Sequence, residues 1–403
     1  MQRDHPLAAS KTSNRSVVTW RRPAILYLSR ILAPHPQGHI RPRQPVVVVG
    51  ALRAATGLGR SARLCYAAIA EAGMDTYGID IGRYFRQDCG AADFAYRDGR
   101  GVAGPGTILL HVNAPFIPYA LALLGRRVVA QKFLVGYWAW ELPWVPAEWQ
   151  HGASFVHAIW VPSRFTAAAV APVANGRPVD VVAHPIAVPA ANAVRRRNSG
   201  VLRVLSVFHA GSSGARKNPL AAIDAFKRAF GVDPEVRLTV AALGLDRAKT
   251  VASELRAAVA GHRNIAVDER VLPDSQVHTR YEAADVLISL HRSEGFGLAV
   301  AEAMAHGLVV VATDWSGTVD FLTPENGVPI IYDLIPATDP QGTYDHPTTC
   351  WAEPNVLEAA NALRRLRLDH ALRIRLAERA VADIRTTLSR ERYAARVRQL
   401  LQF

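Results

Sequence analysis

Sulfur and lysine are scarce in this chain. Three cysteines, three methionines and five lysines are spread over 403 residues. Cys65, Cys89 and Cys350 lie far apart without metal-ligand spacing, which argues against a disulfide framework and a zinc site. A reduced, cytoplasmic setting is the expectation. Long apolar runs are missing too. The run Val46–Val49 has the length of a buried strand, whereas a membrane-spanning helix needs roughly 18–20 apolar residues. The first residues mix charge, Ser and Pro, with no apolar stretch ahead of a small-residue cleavage site, so no secretory signal is expected. Repeats and low-complexity segments are absent.

Acidic residues are sparse in one half only. Residues 1–190 hold 20 Lys/Arg against 10 Asp/Glu, while residues 191–403 hold 27 against 24, within an overall net charge of +13. A basic first half points to an anionic partner surface, whether nucleic acid, phosphorylated ligand or acidic lipid headgroup, or to a solvated basic face with no partner. Half of the residues are apolar and a fifth charged, a globular balance, and the length suits two domains with separate cores.

Residues 1–44 read as a basic tail, with Arg3, Lys11, Arg15, Arg21, Arg22, Arg30, Arg41 and Arg43 among Ser and Pro. Within it, Trp20–Leu32 sets Ile25, Leu26, Leu28, Ile31 and Leu32 beside arginines. This is the pattern of an interfacial helix on a membrane, or of a helix packed on the domain. From Pro45 the pattern becomes α/β. Strands are expected at 46–49, 108–112, 128–135 and 158–161, with a glycine loop at Thr56–Gly59 and a helix from Ser61 to Ala72. Residues 191–200 read as a linker. The alternation restarts with strands at 202–207, 237–242, 265–267, 286–290 and 309–312, and helices at 219–229, 250–260, 274–284 and 298–306. An Arg- and Ala-rich helix over 377–403 closes the chain. The expected organisation is therefore 1–44, 45–190, 191–200, 201–376 and 377–403, with two doubly wound units facing a cleft.

The segment from Ser289 to Met304 carries the strongest chemical signal. A buried strand ends near Leu290, Gly295 and Gly297 permit a tight turn, and a helix starts at Leu298, whose free N–H groups favour a diphosphate. Glu294 precedes the helix and Glu302 lies within it. Eight residues of helical rise span about 12 Å, the scale of a ligand with a sugar at one end and a ribose at the other. A carboxylate complementing the helix dipole, plus an unrelated surface Glu, fits the same spacing.

This segment resembles the signature of glycosyltransferase family 4, retaining enzymes of the GT-B fold whose two glutamates are separated by seven residues. Further blocks are similar in the same order: GYWAWELPWVPAEWQHGASFVHAIWVPSRF at 136–165, LSVFHAGSSGARKNPLAAIDAF at 205–226, YEAADVLISLHRSEGFGLAVAEAMAHGLVVVATDWSGTVDFL at 281–322, and Trp351–Pro354. With the Gly57/Gly59 loop, the likeness covers about residues 45–400 and is closest to a bacterial polysaccharide-assembly subgroup. It implies two Rossmann-like domains, a donor held mainly by the second, an acceptor by the first, a terminal helix crossing back, and no metal or other cofactor.

Carried over by position, the resemblance places Glu302 on the ribose and Glu294 by the donor sugar. Gly295, Phe296, Gly297 and Leu298 present backbone to sugar and phosphate. Arg216 and Lys217 match the basic pair that neutralises the leaving diphosphate, although relatives often carry the Arg several residues earlier, here near Phe208–Ala210. Gly57 and Gly59 match the loop that approaches the donor phosphate or acceptor, Val271 and Leu272 the place where the base packs, and Thr313–Asp320 the lining of the donor sugar. On the acceptor side, Asn113, Trp140 and Glu141 follow strands of the first domain. Many relatives have a His-Asp pair where this chain has Trp140-Glu141. His184 and His291 read as structural.

The implied activity is front-face transfer of a hexose from a nucleoside diphosphate sugar to a hydroxyl of a glycan or lipid-linked saccharide, with peripheral contact to an anionic membrane and no nucleic acid as partner. A nicotinamide oxidoreductase is disfavoured, because the first strand lacks a G-x-G-x-x-G turn with an acid about 20 residues on. A non-catalytic sugar- or nucleic-acid-binding protein of the same fold and an inverting transferase remain as alternatives.

Overall fold

A computed structural model describes residues 21–36, 38–85, 93–189, 200–345 and 348–402. The first twenty residues, Cys89 and most of the expected linker (191–199) lie outside them. Helix α1 (Arg21–Leu32) precedes a unit of β1 (Val46–Gly50), α2 (Gly57–Glu71), β2 (Thr76–Asp80), β3 (Gly106–Leu110), α3 (Ile117–Val129), β4 (Lys132–Tyr137), α4 (Trp149–Ala153), β5 (Ala158–Val161), α5 (Arg164–Val170) and β6 (Val179–Val181). The second unit holds β7 (Leu202–His209), α6 (Gly214–Lys217), α7 (Pro219–Phe230), β8 (Val236–Leu243), α8 (Lys249–Val259), β9 (Ile265–Asp268), α9 (Asp274–Glu282), β10 (Val286–Ser289), α10 (Leu298–Ala305), β11 (Val309–Thr313) and β12 (Val328–Ile330). A hairpin, β13 (Tyr332–Pro336) and β14 (Cys350–Pro354), and helices α11 (Val356–Leu368), α12 (His370–Thr387) and α13 (Arg390–Leu401) follow.

Each unit is a six-stranded parallel sheet, ordered β2-β1-β3-β4-β5-β6 in the first and β9-β8-β7-β10-β11-β12 in the second. The all-valine stretch of β1 is fully buried, as a central parallel strand covered on both faces requires. In the second sheet the winding reverses between β7 and β10, and the crevice beyond the carboxyl ends of those two strands is where such sheets bind ligands. Arg216 and Lys217 follow β7, and Glu294 follows β10, so the topology alone brings them to one place.

The strand expected at 128–135 starts only at Lys132. Val128 and Val129 are buried at the end of α3, a helix interrupted at Gly125, where φ is +74°. A short apolar run has no period that distinguishes strand from helix. The helix expected from Ser61 already begins at Gly57, so the glycine loop is its first turn, capped by Thr56, whose side chain accepts from the Gly59 amide at 3.2 Å.

The single helix expected over 377–403 is two helices with different partners. Helix α12, which contains residue 377, puts Ala380 and Ile384 into the core formed by α10 and β11. The chain breaks at Leu388, where Ser389 caps α13. Helix α13 packs against α2, and its Tyr393, Ala394, Val397 and Leu401 join Val46, Val48, Cys65 and Ile69 in the first domain's core. Helix α1 packs against α3 while Tyr27, Leu28, Ile31 and Leu32 stay exposed. Among the described residues no helix is long and apolar enough to cross a membrane.

Val397 is fully buried in that borrowed core. Removing two methyl groups there leaves a cavity in the first domain, so Val397→Ala is expected to cost about 2–3 kcal/mol, measured by urea unfolding. Leu368→Ala, at a residue 86% exposed, is expected to change stability little.

Candidate active site in the interdomain cleft

Three residues outside glycine hold left-handed backbone around the cleft: Ser213 (φ +64°), Asn218 (φ +49°) and Ser316 (φ +72°). Such strain persists where surrounding bonds fix it and is commonest at functional sites. The Ser213 hydroxyl accepts from the Arg216 amide at 3.1 Å and donates to Asp339 Oδ1 at 2.8 Å. Ser316 Oγ accepts from the Glu294 amide at 2.8 Å. Gly297, the turn into α10, has φ +95°, and a Cβ there would lie 2.5 Å from the Thr318 methyl.

These turns gather a cluster of charge. Lys217 Nζ donates to Glu294 Oε1, and Arg216 Nη1 lies 3.4 Å from Glu294 Oε2. Burial pushes the Glu294 carboxyl up, but the attraction of Lys217 and Arg216 outweighs it and holds the group down at about 2. Burial lowers Lys217, against the opposing pull of Glu294. His291, fully buried beside them, is lowered mainly by burial, which favours neutral imidazole in a structural position.

Arg216 differs from the basic partner expected of it. It is 1% exposed, and donates to the Ser293 and Ser212 carbonyls at 2.7 and 3.0 Å. Its guanidinium lies over the Tyr344 ring, 5.1 Å from the centroid, and 3.8 Å from Glu141 Oε1. Sealed from the cleft, it holds carboxylates in place. Lys217, whose side chain keeps 21% of its exposure, is the more open of the two cations.

Glu141, on the first domain, accepts from the Tyr344 hydroxyl at 2.9 Å and so joins the cluster from across the cleft. Trp140 is buried beside the cluster. It is 8% exposed, its ring packs on Trp149 and Tyr344, and its indole N–H donates to the Trp144 carbonyl at 2.7 Å. Asn113 ties two loops together by accepting from the Ala139 amide at 2.9 Å.

Glu302 sits one turn into α10. Only the stretch from Leu298 to Glu302 is helical, a rise of about 6 Å, and the tight turn supplies the rest of its separation from Glu294. Arg60 Nε donates to one Glu302 oxygen at 3.0 Å and the Tyr281 hydroxyl to the other at 2.9 Å. A cavity of about 220 Å³ opens beside it, lined by Arg60, Ile186, Val277, His278, Tyr281 and His306. Val271 and Leu272 do not line it, and Val271 is 53% exposed.

The glycines separate by role. A Cβ on Gly59 would meet the Ala54 and Ala51 carbonyls at 2.5 and 2.6 Å, so Gly59 lets α2 pack on its own entry loop, whereas Gly57 has open space around it. Gly295 faces the first domain: its carbonyl accepts from Ser163 Oγ at 2.6 Å and Thr166 Oγ1 at 3.2 Å. Phe296 is buried, its ring edge-on to His184 and tilted against Phe321. Leu298 opens α10 half-buried.

The sequence assigns no role to Arg60, Ser163, Thr166, Tyr281 or Tyr344, which the structure places in these contacts. Arg60 directly follows the Thr56–Gly59 loop, a usable signal, but nothing local marks Tyr344, whose partner Glu141 lies 203 positions away.

Two Rossmann-like α/β domains facing a charged cleft define the GT-B architecture, and solved structures share it. HepE from Anabaena, in complex with UDP and glucose, aligns at 14% identity over 89% of this chain and 99% of its own, with a TM-score of 0.61. A glycosyltransferase from Rickettsia africae aligns at 13% over 89% and 98%, with a TM-score of 0.63. TarM from S. aureus, in complex with Fondaparinux, alpha-GlcNAc-glycerol and UDP, aligns at 12% over 74% of this chain, which spans 55% of TarM's length, with a TM-score of 0.55. No curated protein matches the sequence. Residues 205–349, which carry Lys217, Glu294 and Glu302, match the family model of glycosyl transferases group 1. The chain is thus a GT-B protein whose second domain carries the sequence pattern of glycosyl transferases group 1.

Because folding depresses Glu294 from 4.5 to about 2, its ionisation stabilises the protein above pH 4.5, and this contribution fades as pH falls toward 2. The stability difference between wild type and Glu294→Gln, read by urea unfolding across pH, is expected to be largest above 4.5 and to shrink through that interval. A Cβ on Gly295 would lie 2.9 Å from the Trp140 carbonyl oxygen. Gly295→Ala is therefore expected to push the domains apart, seen as a larger radius of gyration by small-angle scattering.

Proposed function

We propose that this protein is a retaining glycosyltransferase that moves a hexose from a nucleoside diphosphate sugar to a hydroxyl of a glycan or lipid-linked acceptor. The observation that carries the reading is the Lys217–Glu294 pair at the β7/β10 switch point, with Glu302 one turn into the following helix. In this reading the nucleoside enters the cavity beside Glu302, whose carboxylate accepts from the ribose hydroxyls in place of Arg60. The diphosphate lies toward the start of α10 and Lys217, and the hexose lies against Glu294.

Breaking the bond between C1 and the β-phosphate oxygen puts negative charge on the leaving group. A fixed ammonium and the helix N-terminus stabilise that charge as it develops, without a required metal. The acceptor oxygen bonds to C1 on the face the phosphate leaves, and its proton passes to a phosphate oxygen. Glu294 is held ionised and paired, which suits electrostatic positioning of the sugar better than proton transfer. The nucleotide complexes of HepE and TarM support UDP-sugars as the first donors to test. A role in bacterial polysaccharide assembly at an anionic membrane face accords with the basic first half and the exposed Tyr27, Leu28, Ile31 and Leu32 of α1.

Thermal stabilisation and hydrolysis with UDP-, GDP- and ADP-sugars test the reading. Glu302→Ala is expected to weaken donor binding, and Glu294→Ala or Lys217→Ala to lower turnover by about 10²–10³-fold. Wild-type rates in all three variants overturn the site, and inverted configuration at C1 in the product overturns retention.

A further inference from the structure

The β13–β14 hairpin belongs to the second domain, yet it packs into the first. Ala337, Tyr344 and Trp351 join the first domain's core with Trp138, Trp140 and Trp149. The loop between its strands is shaped by Asp339, which is 2% exposed and accepts from the amides of Gln341, Thr343 and Tyr344 at 3.0–3.1 Å. Asp339 also accepts from the Ser213 hydroxyl, and Gln341 bridges the Gly214 amide at 2.6 Å to the Ala210 carbonyl at 3.2 Å. One loop is thereby bonded to the turn that carries Arg216 and Lys217, and it reaches Glu141 on the opposite domain through the Tyr344 hydroxyl.

Exposure separates the members of this assembly. Tyr344 is 7% exposed and Arg216 1%, while the Glu141 side chain retains 19% and lies within ion-pair range of the guanidinium that also holds Glu294. The two buried groups hold Glu141, the member of the three that keeps contact with solvent.

We propose that Tyr344 is a positioning residue that fixes Glu141 as the carboxylate orienting the acceptor hydroxyl. The inference rests on the glycosyltransferase reading above. Glu141 accepts a hydrogen bond from the incoming O–H and so aims a lone pair of that oxygen at C1. The C1–O bond to the phosphate breaks and the bond from the acceptor oxygen to C1 forms; as charge develops on the leaving group, the acceptor's proton swings from its hydrogen bond with Glu141 to a phosphate oxygen, and Glu141 ends unchanged. Water serves as the simplest acceptor and gives free sugar and nucleoside diphosphate.

The test uses the full chain and whichever of UDP-, GDP- and ADP-glucose the wild type hydrolyses, with water as acceptor. Tyr344→Phe removes one hydroxyl and keeps the ring packed on Arg216 and Trp140. It is expected to lower kcat about tenfold or more, as loss of a hydrogen bond to a charged group implies, with KM for the donor and affinity for the free nucleoside diphosphate unchanged. Glu141→Gln is expected to lower kcat further, and Tyr344→Phe added to Glu141→Gln to have no additional effect. Equal loss of nucleotide affinity and kcat in Tyr344→Phe, or additive effects in the double variant, overturn the positioning role. Wild-type hydrolysis with unchanged kcat in Tyr344→Phe overturns it too. Failure of the wild type to bind or hydrolyse any of the three donors instead overturns the transferase reading itself.

Discussion

A guanidinium sealed between two domains sets the terms for everything around it. Arg216 has almost no contact with water, and a buried cation is tolerated only when fixed dipoles and opposite charges replace its hydration. Two backbone carbonyls, the face of a tyrosine ring and two carboxylates supply that replacement. The carboxylates come from opposite domains, so the charge that must be neutralised also brings the two walls of the cleft together. Lys217, next in sequence but turned outward, remains paired with Glu294 at the edge of the same cluster.

Much of the architecture was legible in the sequence because its signals are local. Valine runs, alternating periods and helix-ending glycines located both sheets; the spacing of Glu294 and Glu302 alone fitted an unrelated surface Glu as well, and the likeness of several ordered blocks to a known family singled the pair out. Less legible was anything that depends on a distant partner. Val128 and Val129 are equally apolar in helix or strand, and only packing decides. Strand β2, with Tyr, Gly and Asp among five residues, is short and mixed in polarity, and lies in the sheet because β1 offers it a partner. Arg216 and Lys217 were read together as a basic pair, but adjacent side chains on a single turn point in different directions, and burial assigned them different work. Tyr344 had no local signature at all, since its meaning comes from Glu141 across the cleft.

The two switch points are electrostatically unlike. Beyond the second sheet lies a dense set of ionised groups. Beyond the first, His111 accepts or donates at 2.8 Å to Ser61 and stacks on Tyr137, which in turn contacts His184. Burial holds both histidines down at about 3, so both imidazoles are neutral at physiological pH. The cleft therefore has a neutral, hydrogen-bonding wall at the first switch point and an ionised one at the second.

Helix α13 also changes the order in which this chain can become itself. Domains of a nascent protein usually complete themselves in the order they leave the ribosome. Here Val46, Cys65 and Ile69 wait for a cover that is encoded after the whole second domain. The first domain, though made first, stays open along α2 until the whole second domain has been synthesised and has carried α13 back to it. Synthesis runs from one end, and closure finishes where it began.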